Sequence, residues 1–264
     1  MPSKLTSRKT ANAATNVVTL APASQRDAAY ETLLEAIIFG DLPPGSSADE
    51  KQVSRKYGLG LASVRSALHR LSLEGIVERH PRIGTRIPEL GLRELEDVFE
   101  ARVIIEGSCA ALSAKRASGE DVARLRAAFA DFEEVIRRRD FQRLVRMDQA
   151  FHRALAAATR NKALERQLVT LHNNALRFWY FGLPRLEPSV LRADIEAHLE
   201  VVRAIEARDP AAAKRAMSSV LGRFPTSVGS VFAGAIARME KRHDERSEAG
   251  GRDRKRPKKG ARAV

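Results

Sequence analysis

Apolar residues recur at helical spacing along most of the chain, and the places where that period stops divide it into segments. Residues 1–25 have no such period and are rich in Ser, Thr, Ala and Asn, which reads as a flexible arm. From Asp27 onward Ala29, Leu33, Leu34, Ile37 and Ile38 share a helix face, and the run ends at Gly40 and the turn Leu42-Pro43-Pro44-Gly45. Asp49 is placed to cap a second helix with Val53 and Tyr57 facing inward, broken by Gly58. A third helix spans about 62–74, with Val64, Leu68 and Leu71 as its buried stripe and Gly75 as its stop. Two short β-prone stretches, 76–79 and 85–87, flank His80-Pro81-Arg82-Ile83-Gly84, a loop with turn chemistry. Three helices followed by a hairpin are the order of a winged helix-turn-helix, expected over residues 26–90, with 88–91 as a linker.

The rest of the pattern is helical. Helices are expected near 92–117, 120–139, 141–158, 161–182, 187–207 and 210–233, with breaks at Gly119, Asp140, Asn161, Gly182-Leu183-Pro184 and Asp209-Pro210. Asp209 before Pro210 is a suitable N-cap with proline at the first helical position. The fold class is therefore mainly α: a winged helix-turn-helix followed, over 91–237, by an antiparallel all-α six-helix bundle, then a basic tail over 238–264.

Charge changes this picture only at the ends. The net charge of +13 suggests a polyanionic partner. Yet residues 241–264 hold ten basic and four acidic side chains, and the first 26 residues hold four basic and no acidic ones. Most of the excess lies there, where it can strengthen phosphate attraction without specifying a sequence, or simply solubilise the chain. No apolar run approaches the roughly 18–20 residues needed to span a bilayer, and residues 17–23 lack the pattern of a secretory signal. The only cysteine, Cys109, sits in an Ala-rich helical stretch and reads as a small core side chain. Membrane association is not expected, and the expected location is the cytoplasm.

Within residues 39–87, Pro43-Pro44-Gly45, Glu50, Gly58, Val64-Arg65, Ala67-Leu68, Arg70-Leu71, Glu74-Gly75-Ile76-Val77 and Gly84 resemble the winged helix-turn-helix of the GntR family of bacterial regulators. The resemblance implies a double-stranded DNA operator. The third helix carries Ser63, Arg65, Ser66 and His69 off its apolar stripe, suited to base edges in the major groove. Lys51 and Arg55 on the second helix can hold phosphates, and Arg82 and Arg86 flank Gly84 at the hairpin tip, where backbone can approach a minor groove. The family usually has a Ser/Thr-Arg-Thr run before its valine and arginine. Here Gly60, Leu61 and Ala62 stand instead, and Ser66 replaces a usual glutamate, so the operator cannot be copied from relatives.

From about residue 92 to 232 the chain is similar to the FCD effector domain of the FadR-like branch, through Phe99-Glu100-Ala101-Arg102 with Glu106, Asp148-Gln149-Ala150-Phe151-His152, Asn161 and Glu196-Ala197-His198. The resemblance implies a homodimer, a small organic acid effector, and in many members a divalent metal (Zn, Ni or Mn) held by one aspartate and three histidines. Asp148 and His152 stand one helical turn apart and His198 sits on a later helix, while Val220 occupies the position of the fourth ligand. His172 reads as structural or pocket-lining. Arg102 has two readings: a fork for the effector's carboxylate, or an ion pair with Glu106 one turn on. Its helix is expected to bury Val98, Ile105 and Leu112. Asn161 is the second candidate effector contact.

The implied function is a sequence-specific regulator, a repressor as in most relatives, and not an enzyme. Two rivals stay open: a metal-dependent hydrolase using Asp148, His152 and His198, and an architectural DNA-binding protein dominated by its basic tail.

Overall fold

A computed structural model describes residues 24–223. The expected arm before residue 24 and the basic tail lie outside the described residues, as does the end of the last expected helix.

Three helices and a hairpin form the N-terminal module: α1 (Gln25–Ile38), α2 (Glu50–Tyr57), α3 (Leu61–Leu73), β1 (Glu78–His80) and β2 (Gly84–Arg86). Ser24 caps α1 by accepting from the Asp27 amide, and Asp49 caps α2 by accepting from the Gln52 amide at 2.8 Å. The apolar faces read from the sequence are the buried ones: Leu33, Leu34, Ile37, Val53, Val64, Leu68 and Leu71 all lie in one core, closed by Ile76 and Ile87 at the root of the hairpin. Burying side chains of this size contributes roughly 1.5–3 kcal/mol each. β1 and β2 pair antiparallel, with Arg79 opposite Thr85. Backbone bonds from Ala48 to Thr85 and from Ile87 to Ser46 tie β2 to the segment ahead of α2, so the wing is fixed to the helical core.

The C-terminal part is all α: α4 (Leu92–Arg116), α5 (Gly119–Ala127), α6 (Phe132–Arg138), α7 (Phe141–Ala158), α8 (Lys162–Gly182), α9 (Pro188–Glu206), and α10 over residues 210–223. Asp209 caps α10 by accepting from the Ala212 amide at 2.9 Å, as its position before proline suggested. All six expected helical segments are present. The one expected over 120–139 is interrupted, because the amides of Phe129, Ala130 and Phe132 bond three residues back, tightening the chain into a turn. The turn sends Phe129 into the core against Phe151 and His198 and lets α6 lie across α7 and α9.

The buried face of α4 is rotated from the expected one. Val98, Ile105 and Leu112 are half-buried, whereas Leu95, Phe99, Arg102, Glu106, Cys109 and Ser113 are buried. A period count of apolar residues misplaces this face because its centre is a polar pair, Arg102 and Glu106, partnered from α7 and α8.

Candidate functional site

The basic residues singled out above lie at the surface of the winged module. Lys51, Arg55, Arg65, His69, Arg82 and Arg86 are exposed, and Ser63 and Ser66 are half-buried at the first turns of α3. Gly60 caps α3 without a side chain, so no cap covers the α3 N-terminus. At the wing tip Gly84 has φ +109°, a conformation that side chains disfavour, and Arg82 has φ 66°. Between α2 and α3, Arg65 Nε donates to Glu50 Oε2 at 3.0 Å. The same carboxylate lies 3.9 Å from Arg79 on β1, whose guanidinium is also 3.5 Å from His69 Nδ1. Arg79 was not among the sequence candidates. Its signal was an arginine in the first strand of a wing that must run beside the reading helix.

A second constellation lies inside the bundle, built from α4, α7, α8 and α9. Asp148 and His152 share one face of α7, and α9 brings His198 opposite them. His152 Nε2 and His198 Nε2 are 3.4 Å apart, and Asp148 Oδ1 is 3.6 Å from the first and 3.4 Å from the second. All three side chains are buried. His198 Nδ1 stands 2.8 Å from the Asp194 carbonyl and donates to it. His152 Nδ1 lies 2.8 Å from the Glu106 carboxylate. With the Nδ1 atoms turned outward, the two Nε2 atoms and a carboxylate oxygen converge on one point. Ligand atoms about a tetrahedral ion with bonds of roughly 2.1 Å sit about 3.4 Å apart, and this donor set fits such an ion.

His172 and Glu106 form a layer behind the ligands. Glu106 Oε1 accepts from Arg102 Nε at 2.5 Å, and His172 Nδ1 accepts from Arg102 Nη2 at 3.2 Å. Burial pushes the Glu106 carboxyl up, but Arg102 and His152 outweigh it and hold it at about 2. Burial, with His152 and the Arg102 guanidinium close by, keeps His172 well below the ordinary histidine range and therefore neutral. Its Nε2 lies 3.3 Å from Asp148 Oδ2. Glu106 Oε2, His152 Nδ1 and His172 Nε2 are close to partners but lack a well-aligned hydrogen bond. Two carboxylates, Glu106 and Asp148, and the Arg102 guanidinium are buried around these imidazoles.

A cavity of about 30 Å³ borders the ligands, walled by Phe99, Arg102, Trp179, Val220 and Leu221. Val220 is thus at the site, as a wall and not a ligand. Asn161 is not brought there: its Oδ1 accepts from the Ala163 and Leu164 amides and caps α8. A residue at the joint before a helix is used for the orphan amides of that helix, which explains its place. His172 is the residue understated by the sequence reading. It lies four residues after Leu168 and four before Leu176, both buried, and that register is the signal that it faces the core.

No helix among the described residues is long and apolar enough to cross a membrane. Residues 25–87 match the gntR family of bacterial regulatory proteins, and residues 97–223 match the FCD domain. An HTH-type transcriptional regulator in the TAR-I ttuE-ttuC' intergenic region of Agrobacterium vitis is 30% identical over 155 residues, 57% of this chain and 91% of that protein. A probable D-xylose utilization operon transcriptional repressor of Paenarthrobacter nicotinovorans is 27% identical over 184 residues, 69% of this chain and 79% of that one. The structure of E. coli McbR/YncC shares the fold, with a TM-score of 0.71, 19% identity, and coverage of 80% of this chain and 99% of that one. The chain belongs to the gntR family, carries an FCD domain behind its winged helix-turn-helix, and is a sequence-specific DNA-binding transcription regulator.

Proposed function

We propose that the chain is a homodimeric repressor of the FadR-like branch, whose grip on a two-half-site operator is set by a small organic acid bound beside a divalent metal in the bundle. The observation that carries this reading is the convergence of Asp148 Oδ1, His152 Nε2 and His198 Nε2 in the core of a domain joined to a DNA-reading module. Zinc, nickel or manganese suits imidazole and carboxylate donors. Asp148, His152 and His198 would hold such an ion, and it would supply Lewis acidity beside Val220. Arg102 borders the cavity and supplies the cation for the acid's carboxylate, in competition with Glu106. An acid seated in this cavity beside Arg102 favours one arrangement of the bundle over another, and that difference is the change available for control. The repressing sense is supported by the relative described as a probable repressor of a D-xylose utilization operon. Dimerisation follows from the symmetry of two half-sites.

The test is calorimetry of the full chain, metal-loaded and stripped, against a panel of organic acids. Binding by loaded wild type and its loss in Arg102→Ala are expected. Equal affinity in both would remove Arg102 from effector recognition. Against an architectural role, deletion of residues 241 onward should leave the operator footprint in place, whereas an architectural binder would lose most of its affinity.

A further inference from the structure

The bundle and the winged module meet where α8 runs against α1 and the end of α3. Three successive residues of α8 have three different partners there. His172 stacks on His152, ring centroids 4.1 Å apart, with its Nε2 3.3 Å from Asp148. Asn173 accepts from Gln149 Nε2 at 3.2 Å and donates to the Tyr30 hydroxyl at 3.4 Å. Asn174 donates from Nδ2 to the backbone carbonyl of Glu74 at 2.8 Å.

Glu74 is the C-cap residue of α3, the helix that bears Arg65, Ser66 and His69. Its side chain is held as firmly as its carbonyl. The Tyr30 hydroxyl donates to Glu74 Oε2 at 2.5 Å, and Arg70 Nε donates to Oε1 at 3.0 Å, with the Arg70 guanidinium 3.6 Å above the Tyr30 ring. The last carbonyls of a helix have no donor within it. Here the donor comes from the sensor bundle, through an amide that is itself anchored to the Thr170 carbonyl at 2.9 Å. Short directional bonds of this kind weaken steeply when stretched or bent, so α8 cannot shift by roughly 1 Å without dragging or releasing Glu74.

We propose that Asn174 and Tyr30 are positioning residues for the reading helix, and that the run His172-Asn173-Asn174 of α8 carries the state of the bundle site to the C-terminal end of α3. The proposal rests on the reading that this site controls operator binding. Neither Asn174 nor Tyr30 is among the residues assigned to DNA, metal or effector. The ion pairs Arg153–Glu31 and Arg146–Glu35, at 2.8 and 3.0 Å, hold α1 to α7 beside this path. Both pairs are half open to solvent and contribute little orientation by themselves.

The experiment is titration of operator duplex with full-length wild type, Tyr30→Phe, Asn174→Ala, His172→Ala and the His172→Ala/Asn174→Ala double variant. Each is measured zinc-loaded and EDTA-stripped, with zinc content measured in parallel. Tyr30→Phe removes one oxygen and leaves the ring packing, so it stays informative if Asn174→Ala fails to fold. Wild type should differ between the two states by on the order of tenfold, and Tyr30→Phe and Asn174→Ala should bring that ratio within about twofold while zinc stays bound. A wild-type ratio in both variants overturns the proposal. If wild type holds no zinc, or holds it without effect, the regulatory reading fails and the stripped proteins decide. An effect of His172→Ala on operator affinity that vanishes in the Asn174→Ala background supports transmission through α8, and independent, multiplicative effects overturn it.

Discussion

Glu50, the first residue of α2, holds Arg65 of α3 by a 3.0 Å hydrogen bond, although the Arg65 side chain remains 62% exposed. The carboxylate aims the guanidinium without burying it, leaving its other donors free to fork onto a base edge. Arg65→Ala should weaken specific binding by about 1–3 kcal/mol while non-specific binding changes little. Titrations with operator and scrambled duplex at one salt concentration check this, and an unchanged ratio between them contradicts base reading by Arg65.

Arg79 shares Glu50 with Arg65 but stands on β1, beside the helix instead of on it. That place suits a phosphate. Arg79→Ala should weaken operator and scrambled DNA alike and lower the slope of log affinity against log salt by about one. A selective loss of operator binding would make Arg79 a base reader.

Glu106 touches His152 from behind and, through Arg102, shares an anchor with His172. Removing such an outer partner typically costs about 10–100-fold in metal affinity, and Glu106→Ala should show it in a chelator competition. Val220→His should do the reverse, because residue 220 borders the ligands with its side chain buried. An unaltered metal affinity in both variants would argue against a metal among Asp148, His152 and His198.

Asp121 completes a capping box with Ser118 at the start of α5 and is paired with Arg124 and Arg160. Burial raises its carboxyl, but the two Ser118 hydrogen bonds and the arginines outweigh this and hold it below the ordinary carboxylate range. Its folded pKa lies below its unfolded one, so its stabilisation is complete above the ordinary range and drains away as pH falls through the lowered value. Asp121→Asn should cost about 2 kcal/mol at neutral pH and flatten the acid limb of the stability curve. Denaturant melts at neutral and acid pH check it, and equal losses at both would exclude the titration.

The winged module was legible because each element carries its own local signals: Asp49 as a cap, Gly58 and Gly75 as stops, and Leu33, Val64 and Leu71 in a plain helical period. In the bundle, Asp148, His152 and His198 were found as a ligand set, and their spacing in the fold fits one. The Arg102–Glu106 ion pair is one of the two sequence readings of Arg102, and His172 reads as structural or pocket-lining. What local pattern could not give is how the three join into one buried layer. Glu106, His172 and Arg102 are polar residues on apolar faces, and their burial depends on partners that are 70 residues away in the case of Arg102 and His172. The same cause rotated the buried face of α4 away from Val98 and Ile105. The turn at 128–131 was hidden because Phe129 and Phe132 keep an apolar rhythm across the break.

The most direct measurement is selection of genomic fragments by the purified full chain, zinc-loaded and stripped, at one salt concentration. Enrichment of fragments sharing two half-sites related by two-fold symmetry, with an affinity that differs between the two states, is expected. No preference for any fragment over random duplex in either state would contradict a DNA-reading regulator controlled from its bundle.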